Sequence, residues 1–188
     1  MTKTIMIVGV GGQGTVLASR ILGDVLIKSG YDVKVSEVHG MSQRGGSVVT
    51  YVRYGEKVYS PIVNEGEADI LISFEICESA RWLRYLKKDG ILVSNNQKIS
   101  PMPVITGAVE YPQNIEEKLN SLCKRAVITD ALSVAEKAGN AKCVNSVLLG
   151  IVARNIADEN IKMEYWYEAM KKHIKPQFLD INIKAFEG

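Results

Sequence analysis

The chain has little of what would hold metals or cross-links. Three cysteines occur in 188 residues, Cys77, Cys123 and Cys143, and none is close to another in sequence. An odd, dispersed set argues against a disulfide framework and fits a reducing cytoplasm. An iron–sulfur cluster usually needs four thiolates, some closely spaced, and structural zinc needs clustered Cys and His. Only two histidines are present, so no metal site is expected in this chain. A net charge of +2 gives no reason to expect nucleic acid. No apolar run approaches the roughly 20 residues needed to cross a bilayer, so no membrane association is expected. The start, Met1 to Thr4, lacks the basic and apolar regions of a signal peptide, and Ile5 to Val8 runs straight into glycines.

What is present is ordinary for a soluble globular protein: 46% hydrophobic and 23% charged residues. Residues 1–188 read as one domain, with an α/β core over about 1–140 and a helical portion over about 141–188. Thr4 to Val8 predicts a strand, and Thr15 to Lys28 a helix striped by Leu17, Ile21 and Val25 and closed by Gly30. Val33 to Glu37 is the next strand, so the chain opens as a Rossmann-like βαβ unit. Ser47 to Tyr54 and Lys57 to Tyr59, joined at Gly55-Glu56, predict a hairpin and hence a mixed, mostly parallel sheet. Further strands are expected at 68–74, 91–94 and 126–129, with helices at 77–88, 115–124 and 131–137. Residues 97–113, with Pro101, Pro103 and Pro112, predict an extended crossover. From Ala141 the pattern is helical, with breaks near Asp158 and Pro176.

Two glycine-bearing loops stand out. Gly9, Gly11 and Gly14 match G-x-G-x-x-G between a strand and a helix, with Gly12 and Gln13 inside the turn. In that motif the glycines permit the tight turn, the approach of phosphates and close helix–strand packing. The helix N-terminus adds free N–H groups for an anion. The plain alternative is that the glycines only make a tight turn. Glu37 occupies roughly the place of the acid that binds a ribose in dinucleotide enzymes. It leads, however, straight into a polar loop, and there is no room for a separate substrate domain.

The second loop spans residues 37–46. Gln43 and Arg44 beside Gly45 and Gly46 could present an amide, a guanidinium fork and backbone N–H groups to one anion. The alternative for Arg44 is an ion pair with Glu37. His39 could exchange a proton near neutral pH, yet no activated nucleophile accompanies it. A satisfied turn histidine is its plain reading, and no catalytic residue is assigned. The expectation is that the two loops meet and form one site.

GVGGQG at 9–14, SEVHGMSQRGGSVVTYVRYG at 36–55, VYSP at 58–61 and the Asn145 to Gly150 stretch resemble the gamma-type domain of 2-oxoacid:ferredoxin oxidoreductases. The resemblance covers nearly the whole chain and is strongest to the indolepyruvate enzymes' beta subunit. It implies oxidative decarboxylation of a 2-oxoacid, with electrons passed to ferredoxin and the acyl group to coenzyme A. It further implies a large partner subunit that carries thiamine diphosphate and the iron–sulfur clusters, and a chain inactive alone. Coenzyme A is the one ligand it places near this chain. By position, Gly11 to Gly14 and Gln43 to Gly46 carry over as the ligand or interface region. Two other readings of the residues stand beside it: a self-sufficient dinucleotide-dependent Rossmann oxidoreductase, and a non-catalytic assembly module.

Other features have plain readings. Arg81, Arg84, Lys87 and Lys88 predict a solvated helix face, with an acidic partner or ferredoxin surface as the alternative. Met163, Trp166, Met170 and Ile174 predict one core stripe, and Leu179, Ile183 and Phe186 another. Cys77 is expected to be packed.

Overall fold

The computed structural model describes residues 2–39 and 45–188, the side chain of His39 excepted. Gln43 and Arg44 lie outside the described residues. The strands are β1 (Lys3–Val10), β2 (Asp32–His39), β3 (Ser47–Gly55), β4 (Ala68–Ser73), β5 (Leu86–Asn95) and β6 (Arg125–Thr129). The α-helices are α1 (Thr15–Lys28), α2 (Ile76–Trp82), α3 (Met102–Ile105), α4 (Ile115–Leu122), α5 (Ala131–Ala138), α6 (Val144–Asn155), α7 (Met163–His173) and α8 (Pro176–Glu187).

The strands form one sheet in the order β2-β3-β1-β4-β5-β6. Side-chain alternation gives it two apolar faces. Ile5, Ile7, Ile70, Ile72, Ile91 and Val93 point to one, where α1, α5, α6, α7 and α8 share a core that includes Trp166 and Phe186. Met6, Val8, Leu71 and Leu92 point to the other, against Ile76 of α2 and Ile115 and Leu119 of α4. Coverage on both faces explains why β1 and β4 read as unbroken apolar runs. β4, β5 and β6 run parallel to β1, and β3 is antiparallel to both β1 and β2. The sheet is therefore mixed and mostly parallel, as its residues suggested.

The expected 47–59 hairpin does not form. Residues 57–59 are not strand, because β3 already has β1 on one edge and β2 on the other. No ladder edge is left for a returning segment. Instead Val58 is buried and donates its N–H to Asp32 Oδ2 at 2.9 Å.

The helix expected over 77–88 is also shorter. α2 stops at Trp82, a 3₁₀ turn covers Leu83–Tyr85, and β5 begins at Leu86, in register with Ala68. Pairing with β4 overrides the helical pattern of residues 86–88. The basic residues thus share no helix face. Arg81 pairs with Glu78, Arg84 with Glu65 and Lys87 with Asp69.

The helical portion is clamped to α1 by charge. Asp24 accepts from Lys172 and lies 2.7 Å from His173 Nε2. Burial alone would raise the Asp24 carboxyl, but the hydrogen bonds from Lys172 and His173 outweigh it and hold the group below the ordinary carboxylate range. A carboxyl lowered on folding contributes stability above its unfolded value, and loses it as pH falls through the folded value. Asp24→Asn is expected to cost about 1 kcal/mol at pH 7. The gap should close as pH drops below about 4, where the wild-type carboxylate is itself titrated. Urea unfolding at the two pH values measures it.

Candidate functional site

The chain leaves β1 toward one side of the sheet through α1, and leaves β4 toward the other through α2. The connections therefore reverse between β1 and β4. In open α/β sheets the crevice outside the carboxyl ends at such a point is where ligands bind. The turn after β1, the junction after β4 and the start of β3 all lie on this edge.

The glycine turn is built tightly. Gly12 and Gly14 have φ of +107° and +87°, a region that favours glycine. Gly9 is a packing position: an added Cβ would lie 2.9 Å from both Gln13 Oε1 and Phe74 Cβ. Gln13 turns its amide back into the loop. Its Oε1 accepts from Val10 N at 2.8 Å, and its Nε2 donates to the Phe74 carbonyl at 3.1 Å. This side chain thus ties the end of β1 to the end of β4. Gly14 opens α1 with no side-chain cap, so the turn's exposed face, at Gly12 and Gly14, keeps the helix's positive end toward solvent.

The two loops meet at their described ends. Gly11 N donates to the Gly46 carbonyl at 2.9 Å, and Gly45 N lies 3.4 Å from the Gly11 carbonyl. These bonds continue the β1–β3 ladder past Val10 and Ser47. They also occupy the Gly11 N–H, and the Gln13 N–H donates to the Val10 carbonyl at 3.2 Å, which leaves the anion-facing groups of the turn at Gly12 and Gly14. Glu37 sits elsewhere. It lies on β2, paired with Thr50, and its Oε1 is 3.4 Å from Ser19 Oγ of α1. Because β3 intervenes, β2 stands roughly 10 Å from β1 rather than one strand spacing away. The acid of a dinucleotide fold sits on the strand next to the glycine turn, and here that strand is β3. The position of Glu37 therefore does not reproduce the ribose-binding arrangement.

Two buried glutamates, not singled out in the sequence, organise the rest of this edge. Glu75 is only 1% exposed. Its Oε2 caps α2 by accepting from Glu78 N at 2.8 Å, and its Oε1 accepts from Ile99 N at 3.1 Å and Tyr111 Oη at 2.6 Å. One carboxylate thus fastens α2 and both ends of the 99–111 segment. Burial, then the hydrogen bond to Glu75, push the Tyr111 phenol well above its ordinary value. Glu78 accepts from Ser47 Oγ, Trp82 Nε1 and Arg81 Nε. Asn95 closes the floor, donating to the Phe74 carbonyl and accepting from Ala131 N. The available sequence signal was an acid or amide directly after an apolar strand, at Glu75 and Asn95. Its partners are too distant in sequence to be read.

Between these elements lies a cleft of about 500 Å³. The Gly45–Ser47 backbone, Glu75, Cys77, Glu78 and Arg81 line one side, and residues 99–105 the other. Burial, then the neighbouring Glu75, raises the Cys77 thiol, with Arg81 opposing only in part. A thiol so placed is a poor nucleophile at neutral pH. Buried carboxylates on the floor disfavour an anion inside the cleft and suit a neutral, amide-bearing or cationic group. The glycine turn at its rim has the opposite character.

Comparison with known proteins gives a consistent result. The family model described as pyruvate ferredoxin/flavodoxin oxidoreductase matches residues 4–188. The indolepyruvate oxidoreductase subunit IorB of Pyrococcus horikoshii is 40% identical, over 97% of this chain and 92% of that protein. Pyruvate oxidoreductase subunit PORC from Thermotoga maritima shares the fold, with a TM-score of 0.73 at 20% identity over 99% of this chain and 93% of that one. So does the 2-oxoglutarate:ferredoxin oxidoreductase of Magnetococcus marinus, solved with 2-oxoglutarate, coenzyme A and succinyl-CoA. There the TM-score is 0.73 at 15% identity, over 99% of this chain but 30% of that one.

Proposed function

This chain belongs to the pyruvate ferredoxin/flavodoxin oxidoreductase family and is a small subunit of a 2-oxoacid:ferredoxin oxidoreductase, and we propose that its glycine turn and 37–46 loop form one wall of a coenzyme A site completed by a large subunit. The observation that carries this reading is the junction of the two loops through Gly11 and Gly46, at the strand-order reversal. It joins the uncapped positive end of α1 to the loop that bears Gln43 and Arg44. The turn at Gly12 and Gly14 fits a phosphate, and the cleft beside it fits a neutral amide arm. Coenzyme A when bound supplies the thiol that takes the acyl group. Arg44 would clamp its charged end with a bidentate fork, and Gln13 would hold the turn in shape.

The large subunit carries thiamine diphosphate and the iron–sulfur clusters, and ferredoxin is reached through it. The three free cysteines here are dispersed over half-buried and buried positions, which supports that division. Indolepyruvate is the oxoacid favoured by the 40% identity to the Pyrococcus subunit. Free cysteines, with no helix among the described residues long and apolar enough to cross a membrane, support a cytoplasmic enzyme.

The test is co-expression with the large subunit and assay with indolepyruvate, pyruvate and coenzyme A. The isolated chain should show no oxidoreductase activity. In the complex, Arg44→Ala should raise the KM for coenzyme A about tenfold or more, the loss of one charge-assisted contact. Assembly and coenzyme A KM both unchanged by Arg44→Ala would overturn the site assignment.

A further inference from the structure

The connection between β5 and α4 shows its apolar side chains to solvent. No charged residue occurs from Ile99 to Val109, and Met102, Ile105 and Val109 are 64%, 65% and 55% exposed. None of the three belongs to either apolar core. A single exposed apolar residue is ordinary, but three within one short segment make a patch of the kind that marks an interaction site.

The patch is built to hold one shape. Pro101 and Pro103 fix the backbone where α3 begins. The Pro101 carbonyl accepts from Val104 N at 2.9 Å and Ile105 N at 3.0 Å, and the Pro103 carbonyl accepts from Ala108 N at 2.9 Å and Val109 N at 3.2 Å. Gly107, at a φ of +75°, closes this knob. Glu75 then ties both of its flanks to α2, through Ile99 N and Tyr111 Oη. Local bonds thus hold outward the apolar side chains that the core does not use. A segment already in one shape loses little entropy on association. Position decides what covers it. Met102, Pro103 and Ile105 form one lip of the cleft, across from the Gly45–Ser47 backbone. In the proposed function that cleft opens toward a large subunit, from which the acyl group reaches coenzyme A. A second copy of this chain seated on the lip would stand between the cleft and the acyl group. The lip is uncharged, so the surface that meets it is apolar and free of unpaired charge.

We infer that the knob at residues 101–109 is the docking element for the large subunit, seated in an uncharged apolar groove of that subunit beside the cleft mouth. The inference rests on the two-subunit reading of the site and adds to it the surface by which the two chains join.

The experiment measures the Kd of the full-length chain for the large subunit by biolayer interferometry, and the mass of the isolated chain by light scattering. The double substitution Met102→Asp, Ile105→Asp places two carboxylates where an apolar groove offers them no partner. It should raise the Kd about 100-fold or more, while thermal unfolding of the isolated chain stays as in wild type. Ile27→Asp, at an exposed apolar position on α1 across the sheet, should leave the Kd unchanged. In the wild-type chain, hydroxyl radicals should oxidise Met102 about tenfold or more slowly in the complex than alone, and this readout needs no substitution. A double variant that binds with the wild-type Kd, or a Met102 oxidised equally in both states, overturns the proposal. So does an isolated chain whose dimer, but not its complex with the large subunit, is lost on the double substitution; the occupant is then a second copy. The Kd reads the docking surface and the coenzyme A KM of Arg44→Ala reads the site, so either can fail alone.

Discussion

Gly150→Ala should lower the melting temperature by about 6–12 °C, although the substitution improves helix propensity. Gly150 lies within α6, where α8 crosses it. An added Cβ would stand 1.9 Å from the Phe186 carbonyl oxygen and 2.8 Å from its carbon. These are backbone atoms, so no side-chain rotation relieves the clash, and α8 must retreat by roughly 1 Å or more to restore contact distances. That retreat lifts Phe186, 1% exposed, away from Trp166 at a ring separation of 5.8 Å. It also pulls the Phe186 carbonyl from Arg154, which donates to it at 2.9 Å. Alanine gains about 1 kcal/mol over glycine in a helix interior. Overpacking in a core costs about 1–3 kcal/mol and more when backbone must move. With the packing around Phe186 lost as well, the net loss is about 3 kcal/mol. At 2–4 °C per kcal/mol for a chain of this size, that gives the stated shift. Thermal unfolding by circular dichroism reads it, and a melting temperature equal to or above wild type would refute the crossing geometry.

Glu75→Ala should cost about as much and have a local signature besides. It strips the acceptor from Glu78 N, Ile99 N and Tyr111 Oη together. Each buried donor left unpaired costs about 1–3 kcal/mol, partly recovered by water entering the gap. A net loss of about 3 kcal/mol follows, with loosening of the 99–111 segment that forms the far wall of the cleft. Proteolysis should then cut within 98–113 much faster than in wild type. The Tyr111 phenol, raised by burial and by the Glu75 carboxylate, should titrate closer to the ordinary tyrosine range in ultraviolet difference spectra. Glu75→Gln keeps one acceptor oxygen and should fall between the two. A Glu75→Ala chain with wild-type proteolysis and an unmoved tyrosine titration would show that the carboxylate does not hold the cleft.

Much of the fold was legible because its signals are local. The α1 boundaries follow from Leu17, Ile21 and Val25, and from the glycines on either side. The breaks near Asp158 and Pro176 separate α6, α7 and α8 as expected. Trp166, Met170 and Phe186 are buried as their stripes suggested, whereas Met163, at the start of its stripe, is 41% exposed. The hairpin was misplaced because β propensity marks a strand without naming its partner. Residues 57–59 carry strand-forming side chains, but both edges of β3 were taken. Residues 86–88 carry a helical charge pattern, yet pairing of Leu86 with Ala68 made them strand.

For the site, the residues alone pointed to two glycine loops and to their meeting, and the chain's motifs already carried its family. Those are properties of short segments, where glycine marks the backbone conformation or close approach directly. Tertiary structure decided what the loops face. It placed β3 between β1 and β2, which removed Glu37 from the ribose position, and it turned Gln13 inward. It also set an acidic cleft floored by Glu75 and Glu78 beside the turn. Such pairings join residues far apart in the chain, and their energy comes from burial and from hydrogen bonds that exist only once the sheet is assembled.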